Sequence, residues 1–227
     1  MPARTLLTLL LTLLAACNSP PLYESKAREF LLAQGITEQV IGKLDDRASL
    51  DNNEVAQLAR FEYPVSLPWL ASWSQRFSSA GRIATLHLLA SNPSAPPELL
   101  TRLIQHPIED VRWGAATNPL TPLTLLYAQR SMGKYSTMNA YLAHNPALPS
   151  TVLWKMYRVH EAAGYDFAMN PSCPLDLMQE IFTHGNEQDR TWLAWNKNLP
   201  EEIMQQLAQD PSPSVQRMLQ ANPVYQH

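Results

Sequence analysis

Cysteine is scarce in this chain: Cys17 and Cys173 are the only two. That excludes a disulfide-stapled scaffold and a four-cysteine zinc site. Glycine is scarce as well, at 7 residues against 19 prolines. No P-loop, GxGxxG or GxSxG elbow is present. The sequence therefore offers no phosphate cradle, dinucleotide turn or serine-hydrolase elbow. The six histidines form no HExxH pattern and no Cys/His cluster, so neither a metal nor a cofactor is expected. Charge is thin, with 16% of residues charged and a formal balance of −3. Without a long basic run there is no electrostatic footprint of nucleic acid and no polybasic segment for anionic lipid. No apolar run reaches the roughly 20 residues that a bilayer-spanning helix needs. Hydrophobic residues still make up 45% of the chain, enough for a core rather than a disordered coil.

What is present begins at the N-terminus. Arg4 and the amino group make a short positive region, Leu6 to Leu14 is a Leu/Thr apolar run, and Leu14-Ala15-Ala16-Cys17 closes it. The segment resembles the signal peptide and lipobox of bacterial lipoproteins, where an aliphatic and two small residues precede the cysteine that takes the lipid. The resemblance implies removal of residues 1–16, lipidation of Cys17 and a mature charge of −4, since Arg4 is the one charged side chain lost. Asn18 rather than Asp follows the cysteine. In such lipoproteins that points to the outer membrane, with the chain facing the periplasm. Residues 17–22 would form the tether, and the five from Asn18 to Leu22 reach at most about 17 Å. Once Cys17 is acylated, Cys173 has no intrachain disulfide partner.

The prolines mark a period. Asn-Pro recurs at Asn92, Asn118, Asn145, Asn170 and Asn222, with Asn196 in register, and the asparagines lie 26, 27, 25, 26 and 26 residues apart. Such recurrence is the signature of a repeat array. Each unit reads as two short helices. A second proline (Pro96, Pro122, Pro149, Pro174, Pro200) suits the first helical position, and acids such as Glu98, Asp176, Glu201 and Glu202 follow in the first turn. Apolar residues then fall on one face, as in Leu177, Met178, Ile181 and Phe182. The unit after Asn118 departs, because Leu125 and Leu126 are followed by Gln129 and Arg130; different packing is expected there. The second helix brings Leu89, Ala115, Leu142, Phe167, Leu193 and Leu219 three residues before each Asn. An Ala lies two before it, except at Gln220. Asn-Pro then stops the helix, so the asparagines read as backbone caps rather than as a ladder of binding groups.

The expected fold is all-α: an α-solenoid of about six 26-residue helical pairs over 81–227, behind an N-terminal helical cap over 23–80. In the cap, Tyr23 to Gln34 ends at Gly35, Thr37 caps the helix to Leu44, and Pro64 and Pro68 precede Trp69 in what reads as a degenerate repeat. A separate small helical domain fits this region too. The repeat resembles the leucine-rich repeat variant family, whose pattern runs Asp-Pro-x-x-x-Val-Arg-x-x-x-Ala-x-Asn-Pro-x-x-Pro-x-x-x-Leu. His106-Pro107-Ile108-Glu109-Asp110-Val111-Arg112 and Asp210-Pro211-Ser212-Pro213-Ser214-Val215-Gln216 match its first half. The resemblance covers roughly 82–223 and implies a right-handed, HEAT-like superhelix of paired helices. Family members can carry an iron–sulfur cluster; with no cysteine cluster here, that feature does not transfer.

Repeat arrays find their purpose in surface contacts. Positions five and one before each Asn are four apart, hence on one helical face, and their residue types vary. They supply the candidate partner-binding residues Trp113, His144, Tyr165, Met169 and Trp195; the alternative is that these side chains fill space between helices. Cys173 stands where other repeats have Ala95, Thr121, Leu148 and Leu199 and reads as a partly buried structural residue. Asp45, Asp46 and Asp51 lack EF-hand spacing and read as a solvated turn. The expected function is a lipid-anchored, non-catalytic scaffold that binds an envelope or periplasmic protein or peptide. A periplasmic immunity-type inhibitor of a toxin is the alternative, and an envelope hydrolase comes last.

Overall fold

The computed structural model describes residues 21–62 and 73–225. Cys17 with its lipobox, and the Pro64–Trp69 stretch, lie outside them. Among the described residues all regular structure is helical, and no helix is long and apolar enough to cross a membrane. The chain divides into two compact units between Leu120 and Thr121.

The first unit contains α1 (Pro21–Ala33), α2 (Glu38–Asp45), α3 (Asn52–Ala59), a 3₁₀ turn (Arg60–Glu62), α4 (Trp73–Ser91), α5 (Pro97–Leu103) and α6 (Glu109–Thr117). Gly35, at φ +76°, ends α1; Ile36 N donates back to Leu31 O and Gly35 N to Leu32 O, a left-handed cap that favours glycine. Thr37 caps α2. Asp51 is exposed, as expected, and is also a helix cap: it and Glu54 form a capping box at α3, and Lys43 Nζ reaches Glu54 at 2.7 Å. Helix α4 runs through residue 80, and α1 and α6 both pack on it.

Both contacts need glycine. A Cβ on Gly114 would lie 2.5 Å from the His87 carbonyl oxygen, and one on Gly81 only 2.2 Å from Phe30 Cβ. Because the atom met by Gly114 is backbone, it has little freedom to yield. Gly114→Ala is expected to lower stability by about 3 kcal/mol, the upper end for overpacking, read as a fall in the urea midpoint with an unchanged slope.

The second unit contains α7 (Leu123–Gln129), α8 (Thr137–Ala143), α9 (Ser150–Arg158), α10 (Gly164–Ala168), α11 (Leu175–His184), α12 (Glu187–Ala194), α13 (Glu201–Leu207) and α14 (Pro213–Ala221). Pro122, Pro149, Pro174 and Pro200 are N-caps, one residue earlier than the sequence reading placed them. The ring fixes φ as a helix start needs, while ψ stays extended. The proline carbonyl then accepts the first helical bonds, as Pro174 O does from Leu177 N and Met178 N. Leu153, Met156, Leu177, Met178, Ile181, Ile203 and Leu207 are buried on the predicted apolar face.

The asparagines do more than cap. Asn92, Asn118, Asn145, Asn170, Asn196 and Asn222 are all buried. In each, Oδ1 accepts the backbone N–H two residues on, closing the turn after the helix. The Nδ2 group points the other way along the array. Asn170 donates to Ala143 O and Asn145 O, Asn196 to Ala168 O and Asn170 O, Asn222 to Ala194 O and Asn196 O, all at 2.6–3.0 Å. Asn118 does the same with Ala90 O and Asn92 O in the first unit. Each amide thus satisfies the alanine carbonyl that the preceding helix end leaves orphaned, and adds a second donor to an asparagine carbonyl that already accepts within its own turn, as Asn170 O does from Cys173 N. The alanine two before each Asn is fully buried from Ala90 to Ala194, and only a small side chain lets the next amide reach its carbonyl.

A second device fixes the helix entries. Six residues before the Asn, Arg112 Nη1 donates to His106 O, Arg190 Nη1 to Gly185 O and Gln216 Nε2 to Asp210 O, at 2.7–3.0 Å. Arg190 also grips the buried Asp210 carboxylate at 2.6 Å, twenty residues away in sequence.

Candidate functional site

The five expected contact residues are all half-buried. Trp113 belongs to the first unit; His144, Tyr165, Met169 and Trp195 belong to the second. His144, Met169 and Trp195 hold equivalent C-cap places on α8, α10 and α12, each in the right-handed helical region. Their side chains therefore leave successive helix ends in register. The same register does not guarantee exposure, since His87 at the five-before position is buried and bonds Asp110 O through Nδ1 at 2.7 Å. Burial pushes its pKa down, the hydrogen bond opposing.

His144 and Tyr165 are brought to buried acids. His144 Nε2 lies 3.4 Å from Asp166 Oδ1, and Tyr141 packs edge-on 6.4 Å from the imidazole. Asp166 is held from behind, its Oδ2 accepting Ala163 N–H at 2.9 Å. Burial, with the Asp166 charge second, pushes the Tyr165 hydroxyl to about 12, and Tyr135 is its hydrogen-bond neighbour. Tyr165 is thus a neutral phenol at any ordinary pH. Asp189 caps α12, yet its Oδ1 is buried without a partner, and its carboxylate presses on Gly164, where a Cβ would lie 2.6 Å from it.

The most prominent surface feature lies elsewhere, in the repeat whose pattern departs. Helix α7 ends at Gln129, and residues 130–136 leave as a loop carrying Met132 (74% exposed) and Tyr135 (55%), with Tyr127 (41%) on the helix before it. The loop is tied down. Glu161, 1% exposed at its side chain, takes Arg130 Nε at 2.5 Å and Nη2 at 3.0 Å, and also Gly133 N–H at 2.7 Å. Asn139 closes it from below, donating to Ser131 O and Lys134 O and accepting Ser131 N–H. Sequence reasoning saw the irregularity at Gln129 and Arg130 but not the side chains it would display.

Helices α11 and α13 of this unit carry a groove of about 450 Å³ lined by Leu175, Asp176, Gln179 and Glu202. Trp154 Nε1 donates to Asp176 at its rim. Cys173 is buried, more so than expected, and burial with Asp176 second pushes its thiol to about 12. Among the described residues no group of three His, Cys, Asp or Glu side chains could hold a metal ion.

Comparison with protein-family models, curated proteins and solved structures returned no match. The class this geometry defines is accordingly set by its own features: an all-α protein of helical repeats joined by buried asparagine amides.

Proposed function

We propose that this chain is a non-catalytic binding scaffold of the leucine-rich-repeat-variant type: a right-handed α-solenoid of about six repeats, tethered by a lipid on Cys17 to the outer membrane and facing the periplasm. Its partner is an envelope or periplasmic protein or peptide. The observation that carries this reading is the contrast within each repeat. The asparagine is buried in every repeat and the alanine two before it in all but the last, where Gln220 stands, while the helix-end places beside them hold His144, Met169 and Trp195 in equivalent positions with different chemistry. A constant frame that varies only its rim is what selective binding requires. Tyr165, neutral and beside Tyr135, offers an amphipathic ring of the kind that anchors protein contacts.

The test is site-specific photocrosslinking in cells from Tyr165, Met169 and Trp195, with exposed Gln188 as control. One species captured from the three sites, absent from Gln188 and rebound when purified, is the expected result. Capture equal at all four sites removes the binding face. Mass spectrometry of the N-terminal peptide tests the tether; an unmodified Cys17 removes it without touching the repeat argument.

A further inference from the structure

Charge in the second unit is segregated along the chain. Between Asp110 and Glu161 there is no acidic residue, and Arg130, Lys134, Lys155 and Arg158 fall in the part of that span belonging to this unit. From Glu161 to Asp210 acids dominate, opposed only by Arg190 and Lys197. The basic residues are scattered in sequence, but folding gathers them. Glu161 binds Arg130 and Gly133 N–H and accepts Ser136 N–H on its own carbonyl, so the 130–136 loop lies against the turn that ends α9. Met132, Lys134, Tyr135, Arg158, Val159 and His160 are exposed on these two segments, with Lys155 one turn back in α9. Glu161 neutralises Arg130. The Arg158 guanidinium lies 4.9 Å over the Trp154 ring, whose N–H goes to Asp176; Asp176 and Glu180, the latter 3.2 Å from His184 Nδ1, are acids that face α9 from α11, against Lys134, Lys155 and Arg158 on the patch. The patch remains cationic around protruding apolar tips.

We propose that this patch docks on an anionic lipid surface. Methionine and tyrosine tips flanked by lysine and arginine are the side chains that enter the headgroup boundary while their neighbours keep charge at its surface. A lipid plane fits better than an acidic protein for two reasons. The apolar residues stand out singly from loop tips instead of lining a groove, and lysine is depleted at protein contacts, whereas a diffuse anionic plane asks only for dispersed positive charge. The loop is already ordered by Glu161 and Asn139, so insertion freezes little that is not frozen already. The inference goes beyond the partner-binding reading and does not need an acyl group on Cys17.

The test places an environment-sensitive fluorophore at Met132→Cys of the full chain carrying Cys17→Ser, leaving buried Cys173 in place, with a Gln188→Cys label as control. Both are reconstituted on phosphatidylcholine vesicles with or without phosphatidylglycerol; flotation reports total attachment separately. A blue shift at 132 and not at 188, only with phosphatidylglycerol, is expected. It is lost at high salt, an arm that needs no further substitution. Lys134→Glu, Lys155→Glu and Arg158→Glu each lower the lipid-contacting population by roughly fivefold or more. A label at 132 that stays equally wet on both vesicle types, whether or not flotation shows the chain attached, overturns the proposal. So does a shift produced by soluble polyglutamate without vesicles, which would assign the patch to an acidic polypeptide.

Discussion

Replacing Asn196 by alanine is expected to cost about 3 kcal/mol, from one orphaned buried carbonyl at roughly 1–3 kcal/mol and two weakened partners at roughly 0.5–1.5 kcal/mol each. The side chain makes three bonds. Nδ2 reaches Ala168 O at 2.6 Å and Asn170 O at 3.0 Å, and Oδ1 takes Asn198 N–H at 2.8 Å. Ala168 ends α10, so its carbonyl has no next turn to bond. Asn170 O retains Cys173 N–H and loses less. Asn196→Asp is expected to be worse than alanine, because the carboxylate keeps the bond from Asn198 N–H but turns a second acceptor toward two carbonyls. Asn198 is the control: its side chain is exposed and gives one bond to Pro171 O, so Asn198→Ala should change stability by less than about 1 kcal/mol. Urea denaturation of the three variants settles the order. Equal costs at 196 and 198 would mean that the buried amides are incidental to holding successive repeats together.

The same residue shows how far the sequence could be read. Its place was legible, since a 26-residue recurrence fixes position without any structure. The capping half of its role was legible as well, because Asn before a turn commonly accepts from the backbone two residues on. The other half was not. Nothing in one repeat says that the amide N–H₂ will leave it, and the donor-to-acceptor separations of 25 to 28 residues become meaningful only once repeats are stacked. Proline was misplaced by one residue because a fixed φ suits the cap and the first turn alike; ψ decides, and ψ is not written in the sequence.

Which neighbour covers each face position was not legible, for a related reason. Helical spacing groups residues on a face but does not say which neighbour covers it. His87 and Tyr165 share a register position, yet α6 covers the first while the second is half-exposed beside Tyr135. Buried acids were less legible still. Glu161 and Asp166 look like ordinary surface charges in sequence and Asp210 reads only as part of a repeat motif; the fold supplies Arg130, His144 and Arg190 to them from another repeat.

Glu161 gives the second large effect. Removing one member of a buried ion pair costs about 3–5 kcal/mol, because the other charge is left without compensation. Glu161→Ala should therefore destabilise the second unit by that amount, and Arg130→Met by a similar one. The double replacement discriminates between two roles. For an ordinary buried pair, apolar residues in both places restore much of the loss. Here Glu161 also accepts the Gly133 N–H at 2.7 Å, and Gly133, at φ +74°, is the turn of the loop. With Glu161→Leu and Arg130→Met together that N–H has lost its acceptor, so the loop that carries Met132 and Tyr135 should come free even where global stability partly returns. Hydrogen exchange separates the two quantities: amides of 131–136 should exchange roughly tenfold faster or more in the double variant, while those of α11 and α12 recover toward the parent. Full recovery of protection in the loop would show that Glu161 serves the arginine alone, and that the display of Met132 and Tyr135 owes nothing to it.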